Sequence, residues 1–458
     1  MAVLGQAAKI WDRLQDDRIV NQLLSKGVSA LGIKVATAGL TFILFVCLAR
    51  WLGPEEYGRY ATWFSLGNFL GFVVVGGVHT LALRQIPASI SKNELGAAVG
   101  LMRDGYLAMG LLGAVLLVLF VVTGGLGQVL GFRWWAPLIA AGLALPFAVA
   151  EFQSNALRGW GSVNLALLPR DVIWRLVLVA ILGFLVSTGA QLTAVEAFVW
   201  TCGVLLALNA AQFVLGRRLA LPAGGFSAAR DIPPAPLTAL LDARWLSLAA
   251  VVTVLLTQLS VVVVSAVLDV VDAGIFFAAQ RTSALLSLPL VAANMIGAPM
   301  IAKAWAEDDR ASIQRICVLI ALGLTGPTLA GWLLFAFEGA WIMALFDPSF
   351  SDHGALLMIL ATGSLVNAFC GPTGVFMLMT GHEKSHVVIL ATVNVLGLTL
   401  VAGLSAIYGL SGAVVASALT IVLWNVIVAS WIKATYGIDT TILHLGTLLL
   451  RRLKGDRR

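Results

Sequence analysis

Long apolar runs separated by short polar breaks fill most of the chain. Runs of spanning length fall at about 29–51, 58–83, 104–124, 135–157, 166–187, 195–216, 245–268, 273–299, 313–337, 354–379, 385–407 and 411–432. Each approaches the roughly 20 residues that a helix needs to cross a hydrocarbon core. None alternates strictly between apolar and polar positions, so a closed barrel is excluded and helices remain. The pattern predicts an all-α integral membrane protein with twelve transmembrane helices. Pairs such as Gly124-Gly125 blur the helix ends by several residues.

The polar breaks carry further information. In "ARWLGPEEYGRYATWF" (49–64), Gly53 and Pro54 are expected to end one helix, Glu55 and Glu56 to cap the next, and Gly58 to let the hairpin pack closely. This stretch reads as a structural turn without chemistry. Residues 217–243, "RRLALPAGGFSAARDIPPAPLTALLDA", form the longest polar stretch and read as a linker between two halves of six helices. "LGPEEYGRYA" (52–61) is echoed by "LDVVDAGIFFA" (268–278), with Leu52 matching Leu268, Glu56 Asp272, Gly58 Gly274 and Tyr60 Phe276. Because each half has an even number of helices, the halves share one orientation. An axis along the membrane normal then relates them, with a cavity at their interface. The expected organisation is an interfacial helix over 1–28, a six-helix bundle over 29–216, a linker over 217–243, a second bundle over 244–433 and a basic tail over 434–458. Ile10, Trp11, Leu14, Val20, Leu23 and Leu24 recur at helical spacing, which suits a helix lying on the membrane surface.

Charge fixes the expected orientation. With both termini cytoplasmic, 23 of the 29 lysines and arginines fall on the cytoplasmic side. Only Arg50, Arg59 and Arg133 fall outside, and Lys34, Arg175 and Arg281 lie within helices. That asymmetry predicts cytoplasmic termini. The mean hydropathy of +0.95 and the 11% of charged residues exclude a sizeable soluble domain, and the net charge of +6 reports topology rather than nucleic-acid binding. Cys47, Cys202, Cys317 and Cys370 are scattered through apolar runs and read as small core residues, neither a disulfide framework nor a metal site.

Four stretches in register along the whole chain, "ARWLGPEEYGRYATWFSLGNFLGF", "NALRGWGSVNLALLPRDVIWRLVL", "AGIFFAAQRTSALLSLPLVAANMIGAPMIAKAWAEDD" and "LMTGHEKSHVVILATVNVLG", resemble the polysaccharide-unit flippases. Those belong to the multidrug, oligosaccharidyl-lipid and polysaccharide exporter superfamily. The resemblance implies two pseudo-twofold-related six-helix bundles, V-shaped around a central cavity. It also implies transport of polyprenyl-diphosphate-linked oligosaccharide repeat units from the cytoplasmic to the outer leaflet of a bacterial inner membrane. Membrane lipid, polysaccharide polymerases and a coupling sodium ion or proton are the partners it suggests. Ser260 stands where many relatives carry an acidic residue, which weakens a cation or proton role there.

A diphosphate inside a low-dielectric bundle demands cations, and the planar fork of arginine suits phosphate. Arg281, about eight residues into the eighth run and roughly 12 Å from its outer end, is the leading candidate. Its alternative is an ion pair with a carboxylate elsewhere. Arg175 is comparably deep from the inner end, where Asp171 at i−4 can pair with it. Lys34, Thr37 and Thr41 form one polar stripe, and Arg84 ends the second helix as an anchor or a phosphate contact. Glu151, Asn155 and Arg158 share a face of the fourth helix. Glu151 is either a coupling site or the partner of Arg158. Asn68 and His79, eleven residues apart, share a face of the second helix, and Gln258 is an interior amide.

The sequence contains no nucleophile–base pair, metal cluster or Walker-type phosphate loop, so neither enzymatic chemistry nor a cofactor is expected. A cation-coupled multidrug exporter of the same superfamily is the first alternative, although deep arginines argue against it. A membrane polysaccharide polymerase or ligase is the second. Such an enzyme needs a large outer loop, whereas the longest here is about 338–353.

Overall fold

The computed structural model describes residues 18–129, 135–219 and 232–444. Residues 1–17 of the expected surface helix, 220–231 of the linker and 445–458 of the tail lie outside the described residues. Among those described, the regular structure is helical throughout. The first half comprises α1 (Arg18–Val75), α2 (Val78–Ser91), α3 (Leu95–Val129), α4 (Trp135–Gly159), α5 (Val163–Leu168), α6 (Trp174–Ser187) and α7 (Ala194–Leu219). A short α8 (Pro236–Asp242) leads into α9 (Arg244–Val267), α10 (Val270–Ser283), α11 (Leu288–Ala306), α12 (Arg310–Ala344), α13 (Gly354–Cys370), α14 (Thr373–Met379) and α15 (Glu383–Tyr436).

The local breaks explain how these helices make twelve spans. α1 and α15 each contain two spans, divided where Gly53 and Gly409 leave helical geometry. At Gly53 the backbone adopts φ 76°, which only glycine takes without strain, and Pro54 restarts the helix. The second span is broken at Gly76–Gly77, the fifth by a π-helical turn over Pro169–Ile173, and the tenth at Gly371. A 3₁₀ turn, Ala284–Ser287, interrupts the eighth just before Pro289, which cannot donate a backbone hydrogen bond. The expected outer loop over 338–353 is mostly helical. α12 runs to Ala344, and Asp347 then caps the 3₁₀ turn Pro348–His353 by accepting from the Ser349 amide at 2.9 Å.

One end of the bundle carries Gly53 and the other the linker. At the Gly53 end the two sequence echoes pack against each other. A side chain at Gly58 would overlap the Val270 carbonyl, and one at Gly274 would come within 3.1 Å of the Gly58 Cα. Gly58 therefore serves the junction between halves rather than the hairpin within one half. Around that contact Phe45 and Tyr57 of the first half interlock with Phe277, Phe346 and Phe350 of the second, and all five are fully buried. Arg50 closes the rim by donating to the Ala344 and Leu345 carbonyls at 2.9 and 2.8 Å. Glu55 and Glu56 do not cap their own helix: both grip Arg59, and Glu56 accepts the Ala194 amide at the start of α7, at 2.7 Å. The helix dipole favours a carboxylate there just as well.

A second core in the first half joins α1–α4 and extends to Ala239 of α8 and Ala243 just beyond it, so this part of the linker stretch is packed. A third core lies at the linker end of the second half around Ile301, Ile313, Cys317, Phe376 and Ile432, and it includes Ile438. The stretch after α15 is also packed: Asp439 and Thr440 are buried, and the Ile442 amide donates to the Phe369 carbonyl at 2.9 Å. Apolar side chains left on the outside, such as Phe184 and Phe337, suit a hydrocarbon solvent.

Candidate functional site

The candidate residues gather in two places. The first is built on the π-helical turn Pro169–Ile173, and its wider winding sends adjacent residues to different helices. Asp171, buried, accepts from Lys34 of α1 at 2.6 Å. Arg170 pairs with the buried Glu151 of α4. Asn155 donates to the Glu151 side chain at 2.9 Å, and Arg158 donates to the Asn155 oxygen at 2.5 Å. His79 lies within electrostatic range of Glu151, Arg170 and Arg158, and its Nδ1 has no hydrogen-bond partner.

This arrangement redistributes the expected pairs. Arg158 is not the salt-bridge partner of Glu151, because Arg170 reaches that carboxylate first. Arg175 does not take the Asp171 side chain, which Lys34 occupies; it donates instead to the carbonyls of Arg170 and Asp171 and packs over Trp174 at 4.7 Å. Its Nε is buried without a partner. Thr37 and Thr41 turn their hydroxyls onto the carbonyls one helical turn back, each at 2.6 Å, so the polar stripe with Lys34 is satisfied locally.

The second place is the end of α10. Arg281 lies eleven residues beyond Val270, or roughly 16 Å from the Gly53 end, deeper than the sequence suggested. It donates to the buried Gln258 oxygen at 3.0 Å and sits over the Phe277 ring at 4.7 Å. The buried Tyr57 hydroxyl is within its electrostatic range and has no hydrogen-bond partner. Next to it Gln280 donates to Ser260 at 3.2 Å. No carboxylate pairs with Arg281 among the described residues, so the expected alternative of an ion pair finds no partner there. Its Nε, like that of Arg175, is buried and unpartnered.

Arg175 of the first half lies within electrostatic range of Arg281 of the second. These two buried guanidinium groups come from opposite halves, and neither makes an ion pair with a carboxylate among the described residues. In a low-dielectric surround such a pair calls for an anion.

The remaining candidates fall outside this pair. Arg84 is exposed on α2. Asn68 is buried with its Oδ1 unpartnered, but the break at Gly76–Gly77 separates it from His79, so the two do not share one continuous helix face. Sequence reasoning overlooked Arg170, which it counted among the 23 cytoplasmic lysines and arginines, and Tyr57. The one sequence signal for Arg170 was Pro169 inside an apolar run, since a proline there disturbs helical winding. No group of three or more metal-ligating side chains occurs among the described residues.

Comparison with known proteins accounts for the architecture. Over 93% of its length the chain superimposes on 96% of an inward-facing multidrug resistance MATE family transporter of the MOP superfamily, with a TM-score of 0.70 and 15% identity. It superimposes on an outward-facing MATE transporter of that superfamily at a TM-score of 0.59 and 14% identity, covering 89% of this chain and 94% of that one. A MOP superfamily transporter from Pyrococcus furiosus, described as having reversed binding-pocket polarity, matches at 0.58 and 14% identity over the same shares. No curated protein matches the sequence. The chain thus shares the fold of those transporters. Residues 23–305 match the model of the polysaccharide biosynthesis protein family, and the chain belongs to that family.

Proposed function

We propose that this protein is a flippase carrying polyprenyl-diphosphate-linked oligosaccharide repeat units from the cytoplasmic to the outer leaflet of a bacterial inner membrane. The observation that carries the reading is that Arg175 and Arg281, one from each half, are buried with an unpartnered Nε and without a carboxylate partner among the described residues. A diphosphate supplies the missing anion and bridges the lobes. Both guanidinium groups keep an Nε free to donate to it. The linker end is cytoplasmic, in keeping with the distribution of lysine and arginine. The sealed aromatic end then faces outward, and the lobes rock about the junction so that the site opens first to one side and then to the other.

A multidrug exporter coupled to a cation would need an intramembrane carboxylate free to bind it. Glu151 and Asp171 are each occupied by a basic side chain. A polymerase or ligase would need an outer loop bearing catalytic groups, and the stretch around Pro348–His353 is a short helical turn. Arg281→Ala should abolish polysaccharide export while the protein remains in the membrane; normal export would remove Arg281 from the site. Cells lacking the protein should accumulate lipid-linked repeat units on the cytoplasmic leaflet. If those units reach the outer leaflet unimpeded, the flippase reading fails.

A further inference from the structure

The cluster around the π-helical turn holds more charge than a structural ion pair requires. Among the described residues, Lys34, Arg158, Arg170 and Arg175 are set against Glu151 and Asp171, which leaves an excess of two positive charges. A diphosphate esterified at both ends is dianionic, so it is drawn to that excess as well as to Arg281. Yet one contact stands in its way. Lys34 is the cation of the cluster with the most accessible side chain, 38% exposed, and its ammonium is already held at 2.6 Å by Asp171, only 6% exposed. Asp171 is itself within electrostatic range of Arg170 and Arg175 as well as Lys34, so it does not depend on Lys34 for its charge compensation.

Resting on the flippase reading, we infer that Asp171 is an internal counter-ion that competes with the substrate's diphosphate for Lys34. Without substrate, Asp171 keeps Lys34 docked and ties α1 to the π-helical turn. An arriving diphosphate draws the ammonium away, and Asp171 falls back on Arg170 and Arg175. The released contact joins the first helix of the lobe to the fifth span, so occupancy of the site loosens the element that also forms the junction with the other half. The carboxylate thereby lowers affinity in the empty protein. This keeps the site from holding its cargo so tightly that release fails, since only an interaction that differs between states can drive the exchange.

The test uses the full-length protein in lipid nanodiscs with farnesyl methyl diphosphate, esterified at both ends, as probe, binding being measured by calorimetry. Asp171→Asn keeps the shape of the side chain but removes its charge. It should tighten binding about tenfold, whereas Lys34→Met should weaken it. In a Lys34→Met background, adding Asp171→Asn should produce much less gain, because the competition has lost its object. Asp171→Asn binding that is unchanged or weaker, or an equal gain in the Lys34→Met background, would overturn the counter-ion role while leaving the flippase reading intact. Absence of diphosphate binding in every form, including the wild type, would overturn both.

Discussion

The two halves of the chain carry cations into the membrane by different means. The first half buries its charge in a network, with Lys34 on Asp171, Arg170 on Glu151, and Asn155 passing the contact on to Arg158. The second half places the lone Arg281 against an amide oxygen and an aromatic ring. A network of opposite charges is electrostatically stable when empty, but it must be rearranged when an anion enters. An arginine cushioned by Gln258 and Phe277 is less fully compensated and needs no such exchange. The difference assigns the halves complementary parts: the first is a site with internal competition, the second a fixed point of positive potential.

Removing one partner from the network tests this contrast most severely. Arg170→Gln leaves the buried Glu151 carboxylate without its cation, at a cost of about 3 kcal/mol. The expected result is a clear drop in the melting temperature of the purified protein. Gln258→Leu, which removes only an amide from Arg281, should lower it less. Equal losses would mean that the two sites are not built differently.

The matched glycines offer a second comparison of intermediate size. Gly58→Ala places a methyl group into the Val270 carbonyl, whereas at Gly274 the same methyl group meets the Gly58 Cα at 3.1 Å. Overpacking of this kind costs roughly 2 kcal/mol where backbone must move. Gly58→Ala should therefore lower thermal stability more than Gly274→Ala. The reverse order would show that the junction yields from the α10 side.

The smallest effect concerns pH, and it belongs to the second half alone. Burial raises the Asp439 carboxyl, but the Lys433 ammonium at 2.8 Å and the bonds from Thr441 outweigh this and hold it below its ordinary value. A depressed folded-state value means stability that is present above the unfolded value of 3.8 and lost as the pH falls through the folded one. Thermal melts of the wild type should therefore lose a small increment below about pH 4. Asp439→Asn should lack that increment at every pH, and the same increment in that variant would exclude Asp439 as its source.

Much of the architecture was legible because the bilayer leaves few choices. An apolar run of about 20 residues can only be a helix, and the Gly53-Pro54 break announces itself by residue type, whereas the turn at Ala284–Ser287 inside the run 273–299 was not read. The echo of 52–61 at 268–278 disclosed the two halves, but not that Gly58 and Gly274 would touch. That contact depends on how the lobes close, and periodicity within one helix does not report it. Partner choice was equally hidden. Spacing on a helix favoured Arg158 for Glu151 and Arg175 for Asp171, whereas the π-helical turn rotated Arg170 and Asp171 out of the regular winding and gave their contacts to other helices.

The sequence by itself determined that the chain spans a membrane and that Lys34, Arg175 and Arg281 lie in apolar runs, where charge is costly. It could do so because hydrophobic length and the cost of a buried ion are properties of local sequence. The tertiary structure alone decided which of those charges are neutralised. Compensation depends on which helices come within about 3 Å of one another, and that is fixed only when the lobes pack.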